Sequence, residues 1–346
     1  MKNNKKTFII AEMAWAHDGS VKNAKRIIKG AKDAGADAVS IHVTHLTEYM
    51  SRDFGSSYGK SAKAVRNQES MYEFLEKNNL SNKEVKELFI FAKKLGLAIV
   101  VMPNDFKSFE LCRKMNPNAY VLAAACFVEK DFVIKVAKEK KPMILRIGGA
   151  TLPEIEKTVG LIKKQGNRKI TLLHGVQSYP TKLEDTNLNI LLTLKKRFKL
   201  PVGLADHIAA DSAMAMILPL VALGMGVEVI EKHLTYDRSK KGIDYVAALN
   251  PDEFKKLVVH IRDAEKALGN PFFGKLSKAE DTYRKAVRKR AVAAKDFRKG
   301  ESLKKDSIVF KRANAGFYPD EIEPVVGRKA AVDIKKDESI EPNKLK

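Results

Sequence analysis

Residues 201–233 read PVGLADHIAADSAMAMILPLVALGMGVEVIEKH and contain two short, mostly apolar runs separated by a longer apolar pattern. The runs at 201–205 and 228–233 have the length and composition of strands buried on both faces. The pattern at 209–223 is too long for a strand and predicts a helix. Parallel strands need such a crossover between them, so this stretch predicts one repeat of a strand, a helix and a parallel strand.

The same alternation of short apolar runs and longer amphipathic stretches extends over the first 269 residues. It predicts eight strands with helices between them. A glycine-rich turn after the first strand, typical of an open dinucleotide-binding sheet, is missing. We therefore expect an α/β fold, a (β/α)₈ TIM barrel. The predicted strands are residues 7–13, 37–43, 98–102, 119–123, 142–146, 170–174, 201–205 and 228–233, and the predicted helices are 21–34, 82–95, 130–139, 152–165, 187–197, 209–223 and 251–268.

The pattern changes after the barrel. A polar, basic linker is predicted at 270–288, after a barrel domain at 1–269. The last region, 289–346, contains short β-like pieces, which predict a small β-rich domain. Within it AAKDFRKGESL (293–303) and AVDIKKDESI (331–340) resemble two copies of one strand–turn unit. A region of this size is too small to carry an active site alone.

The composition excludes several classes of protein. No apolar run approaches the roughly 20 residues of a membrane-spanning helix, so we expect no membrane association. The two cysteines, Cys112 and Cys126, form no CxxC pair, which favours a reducing cytoplasm. The net charge is +22, but the lysines are spread along every helical pattern without a nucleic-acid-binding motif. We therefore expect a solvated basic surface, no nucleic-acid partner and an anionic substrate.

Two histidines occupy equivalent positions on adjacent predicted strands. His207 follows the seventh strand and His233 ends the eighth, and reactive groups of such barrels lie at the carboxyl ends of strands. Neutral imidazole binds Mn²⁺, which we prefer here, and also Co²⁺, Fe²⁺ and Zn²⁺. Two imidazoles leave positions for water and substrate oxygens, as a catalytic site requires. The alternative is that each ring is an ordinary hydrogen-bonded residue of the barrel mouth.

Further polar residues lie at strand ends. Glu12 stands in the otherwise apolar strand TFIIAEM, and a buried carboxylate needs a partner or a task. It could act as a base, orient a substrate hydroxyl or form an ion pair. The segment 44–81 after the second strand is long enough to be functional. The other catalytic or substrate-binding candidates are Ser40, His42, Arg146, Gln177, Tyr179 and Asp206, with Asn67 in the long segment; Asn104, Asp105, His174 and Glu231 also lie at strand ends.

Long stretches of the chain resemble the sialic acid synthase family. Members condense phosphoenolpyruvate with the aldehyde of an N-acylated amino sugar to make nine-carbon sugar acids. The end of the chain, RAVAAKDFRKGESLKKDSIVFKRANAGFYPDEIEPVVGRKA (290–330), is similar to the antifreeze-like (SAF) domain that follows the barrel in these enzymes. The barrel stretches are IIAEMAWAHDGSVKNAKRIIKGAKDAGADAV (9–39), LLHGVQSYPTKLEDTNL (172–188), VGLADHIAAD (202–211) and VIEKHLTYDRSKKGIDYVAALNPDEF (229–254).

The resemblance implies a role for each matching residue. The histidine pair would hold the divalent metal, which polarises the sugar aldehyde. Glu12 matches the catalytic or sugar-binding carboxylate, and Tyr179 and Asp244 match positions on the substrate side. Arg312 matches an arginine of the SAF domain that contacts the N-acyl group. In the family that domain reaches into the partner subunit's barrel, which implies a domain-swapped homodimer.

The positions that bind phosphoenolpyruvate in the family differ here. A phosphate dianion needs cations and hydrogen-bond donors. Both lysines and most hydroxyls of the family are replaced, and Arg146 is the one cation gained. The metal and sugar halves of the site are retained, whereas the donor half is rebuilt. The replaced positions carry Ser40, Met102, Val121, Ala124, Arg146, Gln177 and Ala205.

Three functions follow from this pattern. The first is the family reaction, with Arg146, His42 and loop lysines replacing the lost donor contacts. The second is a metal-dependent aldolase, lyase, epimerase or dehydratase of a sugar or sugar acid that does not use phosphoenolpyruvate, in which His42 is a third ligand or a base. The third is a non-catalytic glycan-binding relative, which has no need of a metal pair. The residues leave the sugar and the metal open.

Overall fold

The fold is taken from a computed structural model, which describes residues 6–54, 70–269 and 274–346. The chain forms two compact units, Met1–Asn270 and Pro271–Lys346. Asn67, a predicted substrate contact, lies outside the described residues. Among those that are described, no helix is both long and apolar enough to cross a bilayer.

The first unit is a closed barrel of eight parallel strands in sequential order, in which the first strand pairs with the second and the eighth. The (β/α)₈ prediction is confirmed, and every predicted strand limit lies within one residue of the observed limit. The strands are β1 (Phe8–Glu12), β2 (Ala38–Val43), β3 (Ala98–Pro103), β4 (Ala119–Ala123), β5 (Met143–Arg146), β6 (Ile170–His174), β7 (Val202–Asp206) and β8 (Val229–His233).

Helices connect the strands, and several begin at sequence-encoded caps. Ser81 and Glu84 form a capping box in which each side chain accepts a bond from the other residue's backbone amide. Helix α5 was not predicted from the sequence; the Asp105 carboxylate caps it by accepting a hydrogen bond from the Ser108 amide. The helices are α1 (Val21–Ala34), α2 (Leu46–Tyr49), α3 (Met71–Asn78), α4 (Asn82–Lys94), α5 (Phe106–Met115), α6 (Lys130–Ala137), α7 (Leu152–Lys164), α8 (Asn189–Phe198), α9 (Met214–Gly224) and α10 (Pro251–Leu268).

Strand alternation separates an inner from an outer face of the barrel. Residues such as Ile10, Val121 and Val229 form an apolar cluster inside, while their strand neighbours, such as Val39 and Leu122, pack outward in the large core that includes the helices. The period of two therefore decides which side chains at the strand ends can meet. Above the inner apolar cluster the inward positions become polar.

The second unit is built from short elements. Strands β9 (Lys289–Ala293) and β10 (Ile308–Arg312) pair antiparallel, and a buried apolar cluster that includes Phe297 and Ile334 fills its centre. Helix α11 (Lys278–Val287) precedes β9, so most of the segment predicted as a linker is helical.

The two similar sequences of this unit form equivalent halves. Phe297 and Ile334 exchange both backbone hydrogen bonds. The Asp296 carboxylate accepts from the Lys336 amide at 2.8 Å, and the Asp333 carboxylate accepts from the Lys299 amide at 2.7 Å. These reciprocal contacts explain why the strand–turn unit occurs twice in the sequence.

Gly203 allows β7 to pack closely between β6 and β8. A Cβ there would lie 2.7 Å from the Val229 carbonyl oxygen and 2.7 Å from the Leu173 side chain. We predict that Gly203→Ala lowers the free energy of unfolding by about 1–3 kcal/mol, because backbone atoms must move. Urea unfolding followed by circular dichroism measures the loss.

Gly160 provides a matched control within α7. A Cβ at this position meets nothing within 4 Å, so Gly160→Ala should raise stability by about 0.5–1 kcal/mol through better helix propensity. Equal effects of the two substitutions would contradict the packing argument.

Candidate active site

Two imidazoles meet at the carboxyl ends of β7 and β8. His233 is the last residue of β8 and His207 directly follows β7, and their ring centroids are 5.2 Å apart. The Val176 carbonyl, in the loop after β6, lies 2.7 Å from Nδ1 of His207. A carbonyl can only accept, so Nδ1 carries the proton and Nε2 of His207 has a free lone pair.

The Nε2 atoms of His207 and His233 fit a metal ion. Both are buried and have no hydrogen-bond partner in the described part of the chain, although buried polar atoms normally have one. Burial lowers the pKa of His207 to about 4 and the pKa of His233 well below its ordinary value, so both rings are neutral, the form that binds metals. No group of three or more His, Cys, Asp or Glu residues able to hold a metal occurs among the described residues.

Arg146 crosses the barrel interior from β5. Its guanidinium pairs with the Glu12 carboxylate on the opposite strand, β1, and its Nη2 lies 2.8 Å from Glu231 Oε1 on β8. The three side chains are between 0 and 5% exposed. Among the described lysines and arginines, only Arg146 and Lys232 are buried. One cation thus serves two buried carboxylates.

The two carboxylates are held differently. Glu12 also accepts a hydrogen bond from the Ala14 amide at 2.7 Å. Burial opposes its ionisation, but the charge of Arg146, together with His42, His233 and the Ser40 hydrogen bond, outweighs burial and holds the pKa of Glu12 below its ordinary value. Apart from its contact with Arg146, Glu231 has no hydrogen-bond partner among the described residues, and burial raises the pKa of Glu231 to about 7 against the opposing charge of Arg146.

Further polar groups lie at and around the Arg146 guanidinium. Its own Nε is buried and has no hydrogen-bond partner among the described residues. Ser40, which lies beside Glu12 in the sheet register, hydrogen-bonds to the Glu12 carboxylate and helps to lower the pKa of Glu12. Nε2 of His42 lies 3.3 Å from Glu12 Oε1 and 3.4 Å from Arg146 Nη1. Trp15 contacts the His42 ring edge-on. An unpaired donor in a buried position fits a polar ligand at this point of the barrel.

Three predicted residues form the rim of the site. The ring centroid of Tyr179 lies 4.6 Å from that of His207 and 5.4 Å from that of His233. The Tyr179 hydroxyl donates to the Gln177 side chain at 2.9 Å. Burial raises the pKa of Asp244 to about 6, and the negative charge of the nearby Glu12 adds to the effect of burial.

The structure corrects the prediction that Asp206 is catalytic. Its neighbour Ala205 belongs to the inner cluster, so Asp206 faces outward. There its carboxylate accepts a hydrogen bond from the fully buried Lys232 ammonium at 2.8 Å, which also donates to the Ile208 carbonyl. The pair is structural, because both charges are satisfied away from the barrel interior. The sequence alone could not identify Lys232 as the partner of Asp206, because the two residues are 26 positions apart and lie on different strands.

Arg312, Asn67 and Glu231 are the remaining residues to be placed. Arg312 lies at the exposed end of β10 in the second unit, and Asn67 is not described. Glu231 was predicted at a strand end without a role. The sequence did contain a signal for its position, because Val229, Glu231 and His233 alternate with residues that face outward, and Val229 belongs to the inner cluster.

Comparison with known proteins identifies relatives for both units. The sequence profile of the NeuB family matches residues 27–272, and that of the SAF domain matches residues 288–346. The N,N'-diacetyllegionaminic acid synthase of Campylobacter jejuni is 34% identical, over 97% of this chain and 99% of the relative. A pseudaminic acid synthase of the same species is 33% identical, over 96% of this chain and 94% of the relative.

A solved structure resembles the chain as well. The N-acetylneuraminic acid synthetase of Leptospira borgpetersenii, crystallised with citrate, superposes with a TM-score of 0.70 at 28% identity, covering 82% of this chain and 92% of that one.

The Arg146 cluster makes a prediction about stability. Arg146→Met leaves Glu12 and Glu231 buried without a cation, and we expect a loss of about 3–5 kcal/mol in the free energy of unfolding. The triple variant with Glu12→Gln and Glu231→Gln should recover most of that loss. Urea unfolding at a fixed pH measures both.

Arg262 is the matched control, because it also bridges two carboxylates, Asp37 and Glu265, but is 17% exposed. Arg262→Met should cost only about 1 kcal/mol, since solvent screens the charges that remain. A loss as large as that of Arg146→Met would contradict the burial argument.

Proposed function

The chain belongs to the NeuB family, and from that premise we propose that it joins phosphoenolpyruvate to the aldehyde carbon of an N-acylated amino sugar to make a nonulosonic acid. It is an enzyme of the synthase type, as its relatives are. The proposal places it in the biosynthesis of surface sugar acids. The non-catalytic alternative is disfavoured, because the match to this family of enzymes covers most of the barrel.

One observation supports the proposal above all others. The rings of His207 and His233 lie with their centroids 5.2 Å apart at the barrel mouth, beside the Tyr179 ring, and their Nε2 atoms are buried and without hydrogen-bond partners among the described residues. An open metal site next to a rim of polar side chains is what activation of a sugar carbonyl requires. A binding protein would gain nothing from two unsatisfied imidazoles, since each has a cost in free energy.

We propose that these two histidines hold one divalent cation, with Mn²⁺ preferred over Co²⁺, Fe²⁺ and Zn²⁺. The bound ion would supply Lewis-acid polarisation of the aldehyde carbonyl. The Val176 carbonyl fixes the tautomer of His207, as partners of metal-binding histidines commonly do.

Side chains of the barrel would bind the two substrates. The Arg146 guanidinium and the Ser40 hydroxyl would contact the anionic groups of the donor, and Glu12 would orient a hydroxyl of the sugar. Tyr179 and Asp244 lie at the rim, where the sugar enters. The terminal carbon of the donor then bonds to the aldehyde carbon, water adds at the carbon that carries the phosphate ester, and phosphate leaves.

We propose in addition a domain-swapped homodimer in a cytoplasmic location. Arg312, exposed at the end of β10, would contact the N-acyl group of the sugar bound in the partner's barrel. Such an exchange gives each site residues from both subunits, and it needs the closed symmetry of a dimer.

A second function is favoured by one observation. Arg146 is the single cation that the described residues place inside the barrel, and two carboxylates already neutralise it. A phosphate dianion would find little free positive charge there. A metal-dependent aldolase that takes pyruvate instead of phosphoenolpyruvate would fit the same barrel.

The proposed reaction predicts release of inorganic phosphate. The purified chain with Mn²⁺, phosphoenolpyruvate and N-acetylmannosamine or a related amino-sugar aldehyde should release phosphate and form a sugar acid. His207→Ala should lower the rate more than about 100-fold, because Lewis-acid activation is worth several kcal/mol. A colorimetric phosphate assay with mass spectrometry of the product tests it. The aldolase would be favoured if the sugar acid forms when pyruvate replaces phosphoenolpyruvate and no phosphate is released from phosphoenolpyruvate.

Metal binding is predicted independently of turnover. His207→Ala and His233→Ala should each weaken Mn²⁺ binding more than about 100-fold, since loss of a second-shell partner alone costs 10–100-fold. Equilibrium dialysis measures it. His174→Gln is the control, because His174 is also a buried strand-end histidine, but its Nε2 bonds to the Thr186 carbonyl at 2.8 Å. Equal losses in all three variants would refute the assignment of the pair.

A further inference from the structure

Glu231 is a buried charged group that the proposed chemistry does not use. It lies on the inner face of β8, 1% exposed, with Oε1 2.8 Å from Nη2 of Arg146. Beyond this contact with Arg146, neither of its oxygens has a hydrogen-bond partner in the described chain. Buried carboxylate oxygens normally accept several hydrogen bonds, so Glu231 is held weakly for a group in its position.

Glu12 holds the same guanidinium more firmly. Its carboxylate pairs with Nη2 of Arg146 and also accepts from the Ala14 amide at 2.7 Å. An anion that binds at Arg146 would therefore displace Glu231 from the guanidinium before it displaced Glu12. The two carboxylates have different tasks, although both contact one cation.

The donor has few other cations to bind. Of the two buried cationic side chains among the described residues, Lys232 faces outward and is bound by Asp206. Arg146 faces inward, and its Nε has no partner in that part of the chain. The anionic end of a donor that binds at Arg146 therefore shares the guanidinium with Glu12 and Glu231.

We propose that Glu231 is a specificity-determining residue that competes with the anionic group of the donor for Arg146. The inference rests on the proposed function, because it takes phosphoenolpyruvate as the ligand. The Glu231 carboxylate repels a second anion at the same guanidinium. It therefore weakens binding of a highly charged donor more than binding of a donor with a single carboxylate.

Direct binding to the full-length, metal-free chain tests the competition. Isothermal titration calorimetry in EDTA, at one alkaline pH at which the carboxyl groups are ionised, gives the Kd of phosphoenolpyruvate for the wild type, Glu231→Gln and Glu231→Met. We expect both variants to bind roughly tenfold more tightly, because one negative charge beside Arg146 is removed. A gain in affinity distinguishes competition from a structural role of Glu231, because loss of a residue that positions Arg146 would weaken binding of phosphoenolpyruvate. In an Arg146→Ser background the gain should disappear.

Asp37→Asn is the control for net charge. The Asp37 carboxylate also pairs with an arginine, Arg262, at 2.6 Å, but it precedes β2 and so lies at the opposite end of the barrel. Its neutralisation should leave the Kd unchanged.

Two different results separate the inference from the proposed function. If Glu231→Gln and Glu231→Met bind phosphoenolpyruvate no more tightly than the wild type, including the case in which none of them binds, the competition is overturned. Absence of phosphate release by the metal-loaded wild type would overturn the synthase instead, and tighter binding by the Glu231 variants would still support the competition.

Discussion

One guanidinium shared by two buried carboxylates is the constraint around which the barrel interior is arranged. Arg146 spans the barrel from β5, pairs with Glu12 on β1 and contacts Glu231 on β8. In a low-dielectric interior the position of each charge depends on the others, because none of them can turn to water. The arrangement divides the inside of the barrel into an apolar lower part and a polar upper part in which chemistry is possible.

The histidine pair depends on a separate, backbone-based scaffold. The loop after β6 contributes the Val176 carbonyl that fixes the ring of His207, and the Thr181 amide in the same loop donates to the His207 carbonyl at 2.9 Å. On the outer face, the pair of Lys232 and Asp206 joins β7 to β8 directly below the two imidazoles. These contacts hold the His207 ring and the two strands in place without using the Nε2 atoms of His207 and His233, which have no hydrogen-bond partner among the described residues.

The proposed metal site and the proposed donor site require different things of the barrel. Neutral imidazoles at the mouth need only correct orientation, whereas an anionic donor needs positive charge inside. Relatives named as legionaminic and pseudaminic acid synthases share about a third of the sequence over nearly the whole chain. In this chain Arg146 lies between two buried carboxylates, so an anionic ligand inside the barrel would meet a guanidinium that already has anionic partners.

The sequence by itself determined the eight strands, most of the helices and the residues at the strand ends, because hydrophobic periodicity and caps are local properties. It also determined the histidine pair, since equivalent positions on adjacent parallel strands must meet. Tertiary structure alone decided which distant residue each strand-end side chain contacts. Asp206 and Glu231 show this: the strand period turns one outward and the other inward, but only the fold brings Lys232 to the first and Arg146 to the second. The partner that neutralises each carboxylate lies on another strand, and no local pattern encodes that distance.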